Sequence, residues 1–249
     1  MSGTVPPVPG QQGLRPLAWS LVGATVADPG LDGLAASLQR VCRAVSGRLP
    51  VRGAAVRLMT ADSDAVAASS DGDTRWLAEL QFTCNEGPGL VAFRTQRPVL
   101  VPDLERVPAR WPGFSSLATE HGARGVFSFP LQEGAVSLGV LELYADHRAG
   151  LDRQDIALAG AFAKVATEII LDAGTTRGGE LDPALAAPLG DRDRIHQAQG
   201  MVMVDLGVSL VDALARMRAH AFARNLTLVE IAHQVIAGTL TGTSWDDDD

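Results

Sequence analysis

The chain has 249 residues, which is one to two domains at roughly 150 residues each, and its 46% hydrophobic and 20% charged content is that of a globular protein. A formal charge of −8 excludes a protein that coats nucleic acid or membrane by bulk electrostatics. Two cysteines, Cys42 and Cys84, exclude a disulfide framework and a four-cysteine zinc site, and no stretch reaches the ~20 apolar residues of a membrane span.

The opening MSGTVPPVPGQQG lacks the basic start and apolar run of a signal peptide, so the expectation is a cytoplasmic chain with no membrane partner. Residues 1–16, rich in Pro, Gly and Gln, read as a disordered terminus. Leu31, Leu34, Ala35, Leu38, Val41, Cys42 and Val45 then recur at helical spacing and predict a long amphipathic helix. Residues 53–60 alternate Ala54, Val56 and Leu58 against Arg57, the period of a half-buried strand, with 64–70 as its hairpin partner. Further strands are predicted at 98–102, 125–131 and 136–145, the last two joined by a short glycine-containing turn. Asp152 caps a closing helix whose stripe is Ile156, Ala159, Ala163, Ala166 and Ile170. The pattern over 17–173 is an α+β domain, an antiparallel sheet with flanking helices packed on one face.

Gly and Pro crowd 174–190, which reads as a linker. Beyond it, 191–240 is all helix: one helix stopping at Gly207, a second from Ser209 to Asn225, and a third opened by the Thr227/Glu230 capping box and ending near Gly238. The short turns make an all-α three-helix bundle. With only ~50 residues it is marginal alone and calls for a surface to lean on. Residues 241–249 form an acidic tail.

The stretches CNEGPGLVAFRTQRPVLVPDLERVPARWPGF and GARGVFSFPLQEGAVSLGVLELY resemble GAF sensory domains of actinobacterial regulators. The stretch RDRIHQAQGMVMVDLGVSLVDALARMRAHAFARNLTLVEIAHQVIAG resembles an ANTAR domain. The resemblance implies a signal-responsive transcription antiterminator in which the GAF domain senses a ligand, redox state or partner. It also implies a three-helix module that binds paired RNA hairpins in nascent transcripts. One departure is Gln199, in Ala-Gln-Gly, where the family often carries lysine.

Residues 191–249 hold five arginines against nine acids, so the bundle has no bulk electrostatic footprint for RNA. Its charge is patterned instead. Arg216, His220 and Arg224 lie at i, i+4 and i+8 and read as one basic ridge on the second helix, suited to phosphates and splayed bases. Arg218 projects from the other flank near Val211 and Phe222, where it packs or contacts RNA. Arg194 and Gln197 on the first helix are further RNA candidates. Gly200 inside that helix predicts a close helix–helix approach. Two bundles in a homodimer would raise the effective affinity for paired hairpins. The competing reading is a protein-interaction or dimerisation regulator with no direct RNA binding, favoured by the neutral bundle and by Gln199.

In the sensory unit, Phe127, Phe129, Leu141 and Leu143 share one sheet face. Trp76, Phe82, Phe114 and Leu117 lie in connecting segments expected to cover that same face, either as the wall of a small-molecule pocket or as plain core. Cys84 precedes the turn-rich Asn-Glu-Gly-Pro-Gly, the setting of an oxidant-sensing thiol or of an inert small residue. Cofactor identity is open. No Walker loop, metal-spaced His/Cys pair or G-x-S-x-G elbow occurs, so neither a catalytic constellation nor a metal site is expected.

Overall fold

The computed structural model describes residues 13–60, 64–148, 150–174, 190–241 and 245. The helices are α1 (Leu14–Gly23), α2 (Gly33–Arg48), α3 (Gly72–Cys84), α4 (Pro88–Thr95), α5 (Pro112–Glu120), α6 (Arg153–Gly174), α7 (Gly190–Leu206), α8 (Leu210–Ala223) and α9 (Leu228–Ile236). The strands are β1 (Gly53–Met59), β2 (Asp64–Ser69), β3 (Val99–Val101), β4 (Gly125–Glu133) and β5 (Val136–Ala145). They form one antiparallel sheet in the order β2-β1-β5-β4-β3.

The sheet is covered on both faces, where the sequence suggested one. On the first face, α1, α2 and α6 pack over Ala54, Val56, Phe127, Phe129, Leu141 and Leu143. Phe127 pairs with Leu143, Phe129 with Leu141, and Val56 with Leu141 on the other side, so these side chains stand in adjacent rows. Burying each of the two phenylalanines contributes roughly 2–3 kcal/mol. On the second face, α3, α5 and the segment before α5 pack over Ala55, Val66, Val126 and Tyr144. There α4 also covers Met59 and Val140. β1 is therefore buried along both sides, Arg57 included, and is not the half-buried strand its alternation suggested.

Helix α1 begins at Leu14, inside the stretch read as disordered, and packs on α6 and α2; residues 1–12 of that stretch lie outside the described residues. The linker reading falls almost wholly on 175–189, also outside them, as are tail residues 246–249. Asp152 accepts the backbone N–H groups of Gln154 and Asp155 and starts α6.

In the bundle, Gly207 (φ 63°) ends the α7 segment, and the Ser209 hydroxyl accepts from the Asp212 N–H at the start of α8. Asn225 (φ 55°) takes the left-handed conformation after α8. Thr227 and Glu230 make a complete capping box on α9. Ile195, Ala198, Val202, Ala213, Met217, Ala221, Ile231 and Val235 form the bundle core. Gly200 does not sit at a close helix contact: a side chain there would meet open space.

Candidate functional site

In the sensory unit, the second face of the sheet holds a buried polar network. The Arg57 guanidinium donates to Glu142 Oε1 at 3.1 Å and forms an ion pair with Asp64. Gln81 Nε2 donates to Glu142 Oε1 (2.7 Å) and to the Tyr144 hydroxyl (2.9 Å), and that hydroxyl donates to Glu142 Oε2 (2.9 Å). The Gly89 N–H, at the start of α4, donates to Gln81 Oε1 at 2.8 Å. Arg57, Glu142, Gln81 and Tyr144 are all fully buried. Burial alone would lower the Arg57 value, but Asp64 and Glu142 beside it hold it above the ordinary guanidinium range. Burial, and then the neighbouring Glu142 charge, push the Tyr144 phenol well up, so it stays a donor.

This network explains the Asn85-Glu86-Gly87-Pro88-Gly89 turn. A Cβ on Gly89 would stand 1.9 Å from Glu142 Oε1, and one on Gly87 (φ 142°) would stand 2.2 Å from Gln81 Oε1. Two glycines let the α4 N-terminus close on the network, with Pro88 at the first helical position.

The eight residues expected to line a ligand pocket do not converge on one cavity. Phe127, Phe129, Leu141 and Leu143 belong to the α2/α6 core. Trp76, Phe114 and Leu117 belong to the cluster on the opposite face. Phe82 packs against the bundle core instead. The expectation that these segments cover the Phe127/Phe129 face is corrected: strand alternation sends the two sets to opposite sides. Of the eight, Phe129 also borders a cleft of about 890 Å³ between α1 and α6, with Trp19 and Ile156 along it and Arg15, Arg153 and Lys164 among its lining residues. Cys42 is fully buried. Cys84 is half-buried, and burial followed by the nearby Glu86 carboxylate pushes its thiol up to about 12, so it is protonated at neutral pH.

In the bundle, Arg216 and Arg224 are exposed on α8 and at its C-terminal cap, eight residues and so about 12 Å apart. Arg194 and Gln197 are exposed one turn apart on α7. His220 is corrected: it is 3% exposed and its ring lies 5.0 Å from that of Trp245, so no continuous basic ridge runs along α8. Counting 100° per residue puts His220 within about 20° of Ala213, inside the buried stripe. Arg218 is half-buried with its guanidinium 5.6 Å from the centre of the Phe82 ring. Gln199, in the lysine position, donates from Nε2 to the Leu210 carbonyl at 2.7 Å and ties α7 to the start of α8.

The bundle rests on the sensory unit, which sequence reasoning did not place. The Leu228 N–H donates to Thr83 Oγ1 at 3.0 Å, in the buried interior. A Cβ on Gly113 would stand 3.2 Å from Phe222 Cε2. Asn225 Nδ2 lies 3.5 Å from His121 Nε2, and the His121 ring stacks on Trp76 at 3.7 Å. A space of about 20 Å³, the room of one water, lies where Phe82, Asp64 and Glu79 face Ile195 and Val229. Phe82, singled out for a pocket, and Cys84, singled out as a thiol, are seam residues on the sensory side that the sequence flagged; Thr83 and Gly113 carried no signal.

No curated protein matches the chain. Among solved structures it is similar to the GAF domain of an Acinetobacter phosphoenolpyruvate-protein phosphotransferase, at 11% identity over 67% of this chain and 96% of that one, with a TM-score of 0.47. It is similar to the corresponding GAF domain from Coxiella burnetii at 15% identity over 66% and 94%, TM-score 0.47. A free methionine-R-sulfoxide reductase from Neisseria meningitidis, in complex with its substrate, is similar at 17% over 64% and 87%, TM-score 0.46. The GAF domain family model matches residues 33–170, more than half of the chain, and the ANTAR domain model matches residues 184–236. The chain belongs to the GAF domain family and carries an ANTAR domain behind it, the organisation of a GAF–ANTAR regulator.

Proposed function

We propose that this protein is a cytoplasmic antiterminator whose bundle binds paired hairpins in nascent transcripts through Arg216, Arg224, Arg194 and Gln197. A GAF sensory domain joined to an ANTAR RNA-binding domain makes a signal-responsive antitermination regulator in general. The observation that carries the finer reading is the exposure of Arg216 and Arg224 about 12 Å apart on one helix, within reach of successive backbone phosphates. His220 acts from inside, holding α8 in place. Both domains are regulatory in kind, and no single helix among the described residues is long and apolar enough to cross a membrane.

Two copies act together in this reading. Leu17 and Trp19 stand 40% and 38% exposed on α1, and large exposed apolar side chains of this kind suit burial against a second copy. The cleft between α1 and α6 offers room for a small amphipathic signal molecule, with cations at hand for an anionic group.

The test is ultraviolet crosslinking in the host, with sequencing of RNA recovered by the wild type and by an Arg216/Arg224→Ala variant that keeps its fold. The expected result is paired hairpins ahead of terminators, lost in the variant. In vitro, each arginine removed should flatten the salt dependence of binding by about 0.7 in slope on single-stranded loops. A second reading, a protein-interaction module without RNA, draws on Met201, Val204, Leu210 and Val211, all exposed around the α7–α8 elbow. Absence of any enriched RNA would favour it.

A further inference from the structure

We infer that the α3–α5 face of the sensory domain is a docking surface that competes with RNA for the bundle, so that the docked arrangement is the RNA-silent state. The inference rests on the RNA-binding reading above and extends it to how that activity is held in check.

Four contacts from three parts of the bundle converge on this face. Arg218, one of the RNA candidates, lays its guanidinium over Phe82 of α3. Phe222, one turn further along α8, packs against Gly113 at the start of α5. Asn225, just after α8, reaches His121 beyond the end of α5. The Leu228 N–H belongs to the first turn of α9, where a helix has no partner of its own for its amides, and Thr83 Oγ1 supplies one. The sensory domain thus completes the cap of a bundle helix while covering one flank of α8.

RNA cannot share this seam. Where Phe82 faces Ile195 and Val229 little more than one water's volume is open, and the Asp64 and Glu79 carboxylates beside it are already paired with Arg57 and Arg75, so a phosphate backbone would meet a steric barrier there. Arg216 and Arg224 remain exposed in the docked state, but Arg218 does not, and Arg224 immediately precedes the docked Asn225. A hairpin that engages the C-terminal half of α8 must displace the sensory face. Apparent affinity is then the intrinsic affinity scaled by the fraction of undocked molecules. A signal that loosens α3 or α5 would raise that fraction.

Cys84 provides the readout, because it ends α3 beside Gly113, 3.6 Å from where a Gly113 Cβ would lie. The other cysteine, Cys42, is buried in the α2 core and silent. The experiment uses the full chain as wild type, Gly113→Leu and Thr83→Val. The first wedges Phe222 out of the seam, and the second leaves the Leu228 amide without its acceptor. Both changes lie in the sensory domain, so neither removes an RNA contact. Labelling by a hydrophilic maleimide is followed by intact mass. Binding is measured on a pool of synthetic tandem stem-loop RNAs with randomised loops, and far-ultraviolet circular dichroism checks the fold.

The expected result is Cys84 labelling at least about tenfold faster in both variants, RNA binding tightened by about fivefold or more, and RNA that accelerates labelling of the wild type. If Gly113→Leu does not fold, Thr83→Val carries the test. Faster labelling with RNA affinity equal to wild type would overturn the competition while leaving RNA binding intact. RNA that protects Cys84 would do the same, since it would bind the docked form. Binding by none of the three proteins, with labelling still accelerated, would overturn the RNA reading and this inference together.

Discussion

Gly89 and Gly160 are both glycines in helices, yet the structure gives them opposite roles. Gly89 sits where any side chain would run into Glu142, the acceptor at the centre of the buried Arg57 network. Gly160 lies in the middle of α6 with nothing within 4 Å of where its Cβ would stand. Gly89→Ala should therefore cost about 2–3 kcal/mol, the range of overpacking at a rigid site. Gly160→Ala should stabilise by up to about 1 kcal/mol, the helix propensity gained with no clash. Urea titration of the full chain checks both, and equal midpoints for the two variants would refute the assignment of the turn glycines to this network. The same contrast applies to cations. Arg216 and Arg224 are exposed, while Arg57 is held at the centre of the sheet by two carboxylates and cannot be a sensor of ligand charge without breaking them.

At the scale of elements, the capping box on α9 has weight beyond its own helix. Thr227 accepts from the Glu230 N–H, Glu230 accepts from the Thr227 N–H, and the Leu228 N–H donates to Thr83 Oγ1. Thr227→Ala should lower stability by about 1–2 kcal/mol and shift the thermal transition of the full chain accordingly. This element was readable in the sequence because a capping box is written in four consecutive residues. The five strands were readable too, nearly to the residue, because alternation and turn residues bound them. Helices α3, α4 and α5 were not. α3 carries Gln81 and Thr83 in its buried set, committed to the polar network and to the seam, so its apolar period is broken. Its markers were local: Asp71 accepts from the Thr74 N–H at the start, and Asn85 (φ 55°) stops the end. α4 spans eight residues behind a Gly-Pro-Gly that reads as a turn. Missing these helices hid the second covered face, and with it the split of the eight pocket candidates. The exposure of the proposed RNA residues was legible where helix phase alone decides it, as at Arg216 and Arg194. Legibility failed at His220, where a four-residue spacing drifts about 40° per step and turns the ring into the core.

At the scale of the whole molecule, the bundle is too small to be indifferent to its neighbour. About 50 residues bury a smaller fraction of their surface than a larger domain does, and here the bundle adds Phe82 to its apolar cluster and Thr83 Oγ1 to its amide partners. Without the sensory domain, Leu228 N–H would turn to water and the apolar surface facing Phe82 would be exposed. An isolated chain of residues 190–249 should therefore open about 2 kcal/mol more easily than the same segment in the full protein. Hydrogen exchange read by mass spectrometry on the peptide covering 226–237 measures this directly, with exchange in the isolated bundle faster by roughly 30-fold if opening is the limiting equilibrium. Equal protection in both settings would mean that the seam adds no stability to the bundle, and docking would then have to be opposed by only a small signal. Protection lost throughout α9 but kept in α8 would locate the dependence at the shared cap, since that is where the sensory domain supplies a hydrogen bond the bundle cannot make for itself.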